Sequence, residues 1–234
     1  MSISSENEKK AQSEVLLVIP AYNEAGNIER VVDELIRDYP QYDYVVVTDG
    51  PTDGTDLICA RRGYNTVNLP QNMGLALCFH NGMKYADQMG YRFAVQFDGD
   101  GQHRPEYIAA MKEKAEEGYD IVMGSRFIGL ENNMSFMRGI GSRLIRLAVR
   151  LKTGVRVTDP TCGLRMYDRE IIALFAARTD LAPEPDTIAR LIAGGARVAE
   201  VPVTVADREE GESYLRPVKA MRYMYRMLRA ILFS

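Results

Sequence analysis

Val15-Leu16-Leu17-Val18-Ile19-Pro20, with Ile28, Val31, Val32, Leu35 and Ile36 behind it, decides the fold class. The first stretch is a continuous apolar run closed by proline, the signature of a strand buried on both faces. The second has apolar residues at helical spacing, so a buried strand feeds an amphipathic helix. Tyr44-Val45-Val46-Val47 repeats the strand signal, and Thr52 to Arg62 reads as the next helix, with Thr52 and Asp53 as candidate caps. Leu75, Phe79, Gly82, Met83 and Ala86 mark a third helix. Arg92 to Phe97 and Ile121 to Met123 read as further strands. This alternation predicts an α/β fold, a mostly parallel sheet flanked by helices on both faces.

From about Met134 the character changes. A basic amphipathic helix comes first, then a Gly/Pro/Thr-containing loop around Asp159 to Arg165 and a helix near Asp186 to Ala193. A strand at Val198 to Val205 and a basic C-terminal helix complete the chain. We read residues 1–14 as a polar tail, 15–215 as one globular domain whose acceptor-side portion begins near 134, and 216–234 as the C-terminal helix.

Composition narrows the function classes. The chain has 234 residues, 46% hydrophobic and 26% charged, enough for one substantial core. A net charge of -3 argues against a nucleic-acid partner, which needs a broad cationic surface. Locally the balance reverses: between Asn132 and Thr158 stand Arg138, Arg143, Arg146, Arg150, Lys152 and Arg156, with no acidic residue. Cys59, Cys78 and Cys162 have no metal-ligand spacing, and their odd number gives no disulfide framework, so a cytoplasmic setting is expected. The first 14 residues lack the apolar core of a signal peptide, and no run approaches the ~18 apolar residues of a membrane span. A membrane role would be peripheral.

Two strand ends carry the candidate chemistry. Phe97-Asp98-Gly99-Asp100-Gly101-Gln102-His103 ends one strand in a glycine-rich turn, and either as strand or turn it lets both carboxylates converge. Such a pair suits Mg²⁺, which takes one or two protein carboxylates and fills its other positions with water and substrate phosphate; an acidic surface turn is the other reading. An EF-hand fails, because His103 stands where its glycine belongs and Ala109 where its glutamate belongs. Thr48-Asp49-Gly50-Pro51-Thr52-Asp53 ends an earlier strand, as ligand groups or as turn and cap residues. With Pro20, Tyr22 and Glu24 after the first strand, these groups sit where open α/β sheets bind ligands. His80 reads as structural, His103 as closing its turn or orienting a metal ligand, and Arg165 as fixing its loop or contacting a ligand.

Taken together, Val18-Ile19-Pro20-Ala21-Tyr22-Asn23-Glu24, Thr48-Asp49-Gly50-Pro51-Thr52-Asp53 and Gln96-Phe97-Asp98-Gly99-Asp100-Gly101-Gln102-His103 resemble a family 2 glycosyltransferase of GT-A fold, Rossmann-like in its sheet. Gly124-Ser125-Arg126-Phe127, Asp159-Pro160-Thr161-Cys162-Gly163-Leu164-Arg165, Glu200-Val201-Pro202-Val203 and Arg208 with Gly211-Glu212-Ser213 follow in the family's order. Within that family the likeness is to dolichyl-phosphate mannosyltransferases and bacterial polyprenyl-phosphate glycosyltransferases. The resemblance implies that Pro20, Tyr22, Glu24, Asp49 and Asp98 hold the nucleotide of a nucleotide-sugar donor. Asp98, Asp100 and Gln102 would hold Mg²⁺ or Mn²⁺ on its diphosphate. Arg126, Arg138, Ser142, Arg208 and Ser213 would meet acceptor phosphate or donor diphosphate, with Asp100 and Arg208 catalytic. Thr48-Asp49-Gly50-Pro51 departs from the family's frequent Asp-Asp-Gly-Ser, and Tyr214 replaces a frequent lysine.

The chemistry agrees with this assignment. Negative charge grows on the departing diphosphate, and a cation and arginines placed there favour the transition state. A phosphate monoester, with a second pKa of about 6, attacks without a base, whereas a saccharide hydroxyl needs one. Asp186 or Glu184 then serves, unless Asp186 simply caps its helix. The expected enzyme is a metal-dependent, inverting glycosyltransferase acting on a polyprenyl phosphate acceptor at the cytosolic membrane face; inversion comes from the resemblance. A hydroxyl acceptor and a non-catalytic nucleotide-sugar-binding subunit are the alternatives. In the C-terminal helix, Lys219, Arg222, Arg226 and Arg229 share one face and Met221, Met224, Leu228, Ile231 and Leu232 another. That helix lies on an anionic membrane, packs on the core, or docks on a separate membrane-anchoring subunit.

Overall fold

The computed structural model describes residues 13–128, 136–204 and 217–233, with side chains from 141 in the second stretch and from 222 in the third. The elements run β1 Val15–Ala21, α1 Ile28–Asp38, β2 Asp43–Asp49, α2 Thr55–Arg62, β3 Thr66–Leu69, α3 Leu75–Met89 and β4 Phe93–Gln96. A 3₁₀ turn at Pro105–Tyr107 leads into α4 Ile108–Glu116. Then come β5 Ile121–Ser125, α5 Phe136–Thr153, β6 Arg165–Asp168, α6 Arg169–Ala177, α7 Pro185–Ala193, β7 Val198–Pro202 and α8 Pro217–Phe233.

The seven strands form one sheet in the order β3-β2-β1-β4-β6-β5-β7. Only β6 is antiparallel to its neighbours, so the sheet is mostly parallel, as expected. Each sheet face carries its own apolar cluster. Leu16, Val18, Val45 and Val47 meet α3, α5, α6, α7 and α8 on one side. On the other, Leu17, Ile19 and Val46 meet Val31, Val32 and Leu35 of α1, Cys59 of α2 and Met111 of α4. A strand buried on both faces needs an unbroken apolar run, which is what Val15–Ile19 supplies.

Pro20 does not close β1, which continues to Ala21. Val18 accepts from Phe97 N–H on the β4 side, and Pro20 two residues on faces the same side. There β4 has already ended at Gln96, so the missing N–H costs no ladder bond. The helix expected from Thr52 starts at Thr55, because Asp53 works as a turn residue, its Oδ1 accepting from Thr55 N and Oγ1. The strand expected to reach Val205 ends at Pro202. Four elements had no sequence expectation: β3, α4, β6 and α6. Arg165, read as the end of a loop, is the first residue of β6.

Candidate active site

Strand β1 has β2 on one side and β4 on the other, the point where the sheet's winding reverses and where α/β folds open a crevice. A cavity of about 320 Å³ lies at the carboxyl ends of these strands. It is lined by Pro20 at the end of β1, Tyr22 and Glu24 after it, Asp49 at the end of β2, and Asp98 and Asp100 after β4, with Asn72 and Gly74 from the approach to α3 and Cys78 from its first turn. Of the sequence-expected nucleotide and metal groups, all but Gln102 thus line one cavity. A larger cavity, about 460 Å³, is lined by Asp120, Leu174 and Arg190 at the amino end of β5. It touches no carboxyl strand end and none of the expected residues.

The walls are built by side chains that spend their polar atoms on backbone. Asp49 is buried, and its two oxygens accept from Met73 N–H at 2.7 Å and Gly74 N–H at 2.9 Å. It therefore braces the 72–74 segment while lining the cavity. Gly50, with φ of 57°, lies where a Cβ would collide with the backbone of Gln71 and Asn72, so only glycine lets the two loops touch. Asn23 Oδ1 accepts from Thr52 N–H at 2.8 Å, Asp53 Oδ2 from Ala25 N–H at 2.9 Å, and Thr55 Oγ1 from Glu24 N–H at 2.9 Å. Burial alone would raise the Asp53 carboxyl; the Thr55 and Ala25 donors outweigh it and hold the group below the usual range. The Cys78 thiol in the cavity wall is pushed up to about 12 by burial and by Asp49, which removes it as a nucleophile at neutral pH.

The Asp98–His103 turn is closed from inside. His103, buried, accepts the Asp98 N–H on Nδ1 at 2.9 Å, which leaves its proton on Nε2, 3.4 Å from Asp98 Oδ2. His103 closes the turn, as one of its two readings expected, and stands beside the Asp98 carboxylate. Its ring packs edge-on against Phe97, and a Cβ on Gly163 would stand 3.2 Å from Asp98 Oδ2 and from His103 Cε1. Asp100 Oδ1 accepts from Gln102 N–H at 3.0 Å. Two carboxylates at the cavity mouth are a hard-oxygen donor set that fits Mg²⁺ or Mn²⁺. Among the described residues no third acidic, histidine or cysteine ligand joins them, so phosphate and water would complete the shell.

Of the residues expected to meet acceptor phosphate, Arg126 makes other contacts. Arg126 makes a fork with Asp159, Nε to Oδ2 at 2.6 Å and Nη2 to Oδ1 at 2.9 Å, and this fully buried partner raises its pKa. Glu200 in turn accepts from Thr158 and Asp159 N–H at 2.7 and 2.8 Å. Arg126 is thus first a brace of the 158–161 loop; neither Asp159 nor Glu200 was given a role from sequence, though both stand in the strings that carried the family resemblance. Ser142 is buried, its hydroxyl without a partner among the described residues. Arg165 fixes its loop through backbone carbonyls, Nε to Cys162 at 2.8 Å and Nη2 to Pro160 at 2.9 Å. Its Nη1 is buried and unpartnered among the described residues.

Asp186 does not cap α7. The cap position is Glu184, and Asp186 sits inside the first turn with Oδ1 buried and unpartnered among the described residues. Burial and Asp186 push the Glu184 carboxyl up against the pull of Arg226, which reaches it from α8 at 3.1 Å. His80 is structural, as expected, its Nδ1 2.9 Å from Phe175 O. Arg138, Arg208 and Ser213 lie outside the described side chains.

A sheet of this order with its polar groups gathered at the switch point is the architecture of a GT-A glycosyltransferase. Residues 16–175 match glycosyl transferase family 2, and the chain belongs to that family. It is 27% identical to the polyprenol monophosphomannose synthase of Mycolicibacterium smegmatis, over 97% of this chain and 94% of that protein. It is 30% identical to the undecaprenyl-phosphate mannosyltransferase of Micrococcus luteus, over 85% and 86%. In fold it matches the glucosyl-3-phosphoglycerate synthase of Mycobacterium tuberculosis, crystallised with Mn²⁺ and uridine diphosphate, with a TM-score of 0.65, 20% identity, and coverage of 96% of this chain and 80% of that one. The chain is a glycosyltransferase. Among the described residues no helix is long and apolar enough to cross a membrane.

Proposed function

We propose that the enzyme moves a sugar, with inversion, from a nucleoside-diphosphate sugar to a polyprenyl phosphate at the cytosolic membrane face. The observation that carries the reading is the single cavity that joins Asp98 and Asp100 to Pro20, Tyr22, Glu24 and Asp49. The names of the relatives supply the acceptor class.

Asp98 and Asp100, with Gln102, would hold Mg²⁺ or Mn²⁺, which when bound offsets charge on the departing diphosphate. Asp49 keeps the 72–74 segment in place as a wall for the nucleotide. Ser142, its buried hydroxyl unengaged among the described residues, is suited to donate to an acceptor phosphate oxygen. Arg138, Arg208 and Ser213 are assigned to the same anionic groups, and Arg126 shapes the loop beside them. The acceptor phosphate is already ionised near neutral pH and needs no base. A hydroxyl acceptor remains the second reading, because Asp186 is not a cap and keeps a buried oxygen unpartnered among the described residues, beside a Glu184 whose affinity for a proton is raised.

The test is to incubate purified protein with a panel of nucleotide sugars, Mg²⁺ or Mn²⁺ and a polyprenyl phosphate, and to seek glycosylated lipid by mass spectrometry. A metal-dependent lipid product lost in Asp100→Asn is the expected result. Nucleoside diphosphate release without lipid product, abolished by Asp186→Asn, would transfer the assignment to a hydroxyl acceptor.

A further inference from the structure

We propose that the outward sides of α5 and α8 form a docking surface for an anionic lipid bilayer. The inference deepens the acceptor reading above and rests on it, since a prenyl chain has to be met where it is dissolved.

Both helices are anchored on one side. Ile145, Ala148 and Val149 of α5 and Met227 and Ile231 of α8 share one core cluster, and Met224 of α8 packs over Gly141 of α5. A helix that packs one side on a core usually turns polar residues outward. These two do not. On α5, Leu144, Leu147 and Leu151 are 44%, 53% and 70% exposed, and at spacings of three and four they form one stripe, continued by exposed Val155. Exposed Arg143 and Arg150 flank that stripe. On α8, Tyr225 is 70% and Phe233 83% exposed, beside exposed Leu232, Arg222 and Arg229.

Charge selects the occupant. Every charged residue of α5 and α8 is an arginine or lysine, in a chain whose net charge is -3. Leucine and aromatic side chains set among arginines are the composition of helices that lie in the plane of a bilayer, the cations meeting anionic headgroups and the apolar groups entering the acyl boundary. A second copy docked through the same surface would set arginine against arginine with no carboxylate between them, which disfavours self-association. An apolar patch of this extent exposed to water alone would be an aggregation liability.

Flotation of the full-length protein with vesicles reads the proposal directly. Wild type should float with phosphatidylcholine vesicles containing phosphatidylglycerol, far less with phosphatidylcholine alone, and less at raised salt. Leu147→Glu/Leu151→Glu should lower partition at least about tenfold. Should that pair perturb the circular dichroism spectrum, Arg150→Glu/Arg229→Glu carries the test. Transfer to a short, water-soluble polyprenyl phosphate should be unchanged in both variants. Wild-type protein that ignores anionic vesicles, or variants that bind them as wild type does, overturns the proposal. So does binding that requires a membrane protein in the vesicle, which would give the face to a protein partner. Vesicle binding that obeys these rules while the soluble acceptor is never glycosylated would sink the acceptor reading and leave the surface standing.

Discussion

His103 holds Asp98 from both ends: Nδ1 takes the Asp98 backbone N–H at 2.9 Å while Nε2 stands 3.4 Å from Oδ2 of the same residue. One buried ring thereby sets both the turn and the aim of a carboxylate assigned to the metal. Removing an outer-shell partner of this kind costs about 10–100-fold in metal affinity or activity. His103→Ala should therefore raise the metal concentration that half-saturates transfer by about that factor, while metal-free nucleotide binding stays within about twofold of wild type, since the polar contacts described for the ring both go to Asp98. Gly163→Ala should shift the metal titration in the same direction, its Cβ intruding 3.2 Å from Asp98 Oδ2. Lowered stability with unchanged metal dependence of the activity would reduce His103 to a turn residue.

Asp49 lines the cavity, yet both its oxygens are already given to Met73 and Gly74 N–H. In Asp49→Asn one of those donors faces an amide NH₂ and is left unsatisfied, at a cost of about 1–3 kcal/mol. Urea denaturation should show that loss, and calorimetry should show weaker binding across a panel of nucleoside diphosphates because the 72–74 wall is loosened. Unchanged stability with nucleotide binding abolished would instead make the carboxylate a direct ligand and not a brace.

The Arg126–Asp159 fork makes a different prediction from the phosphate contact first assigned to Arg126. Asp159 has no exposed surface, and removing its partner strands a buried carboxylate. Breaking such a pair costs about 3–5 kcal/mol. About a third of the Arg126 side chain is exposed, which places Arg126→Ala near the lower figure. Since Asp159 carries much of that penalty, the double variant Arg126→Ala/Asp159→Ala should be less destabilised than the sum of the two singles, a coupling that a thermal or urea double-mutant cycle measures. Additive losses would show that the pair is not what holds the loop.

The half of the fold that was legible is the half built from long apolar or periodic runs. Val15–Ile19, Tyr44–Val47 and the stripe of α1 each announce themselves, because burial on both faces or along one side demands that pattern. The strand β6 could not be read. It is four residues long, begins with Arg165 and enters the sheet antiparallel between β4 and β5, without the crossover rhythm of its neighbours. Helix α6 follows it with no loop, Asp168 serving as the last strand residue and as the cap. In the site, Asp49, Asp98 and Asp100 were legible as strand-end carboxylates. What each touches was not: Arg126 meets a residue 33 positions on, and Asp159 one 41 positions on. In α8 the helical spacing grouped Leu232 with Ile231 on one apolar face, without saying what that face meets; Ile231 is buried with Met227 in the core, while Leu232 is exposed.

Asp168 links stability to pH at a position remote from the cavity. Its Oδ1 caps α6 by accepting Ile171 N–H at 2.9 Å, while burial, with Asp120 and Glu170 nearby, pushes its pKa above the ordinary 3.8. A carboxyl whose folded pKa is raised stabilises the fold fully only below its unfolded value, and that contribution is lost as pH rises through the folded value. Asn keeps the capping oxygen without the charge, so Asp168→Asn should melt higher than wild type at neutral pH. The advantage should shrink as pH falls and vanish below about 3.8, where wild type is protonated as well. Asp168→Ala loses the cap and should be less stable than Asp168→Asn by about 1 kcal/mol at every pH. Melting curves of the three proteins across that range decide the matter: a pH-independent gap between Asp168→Asn and wild type would mean that this carboxyl titrates as it does in the unfolded chain.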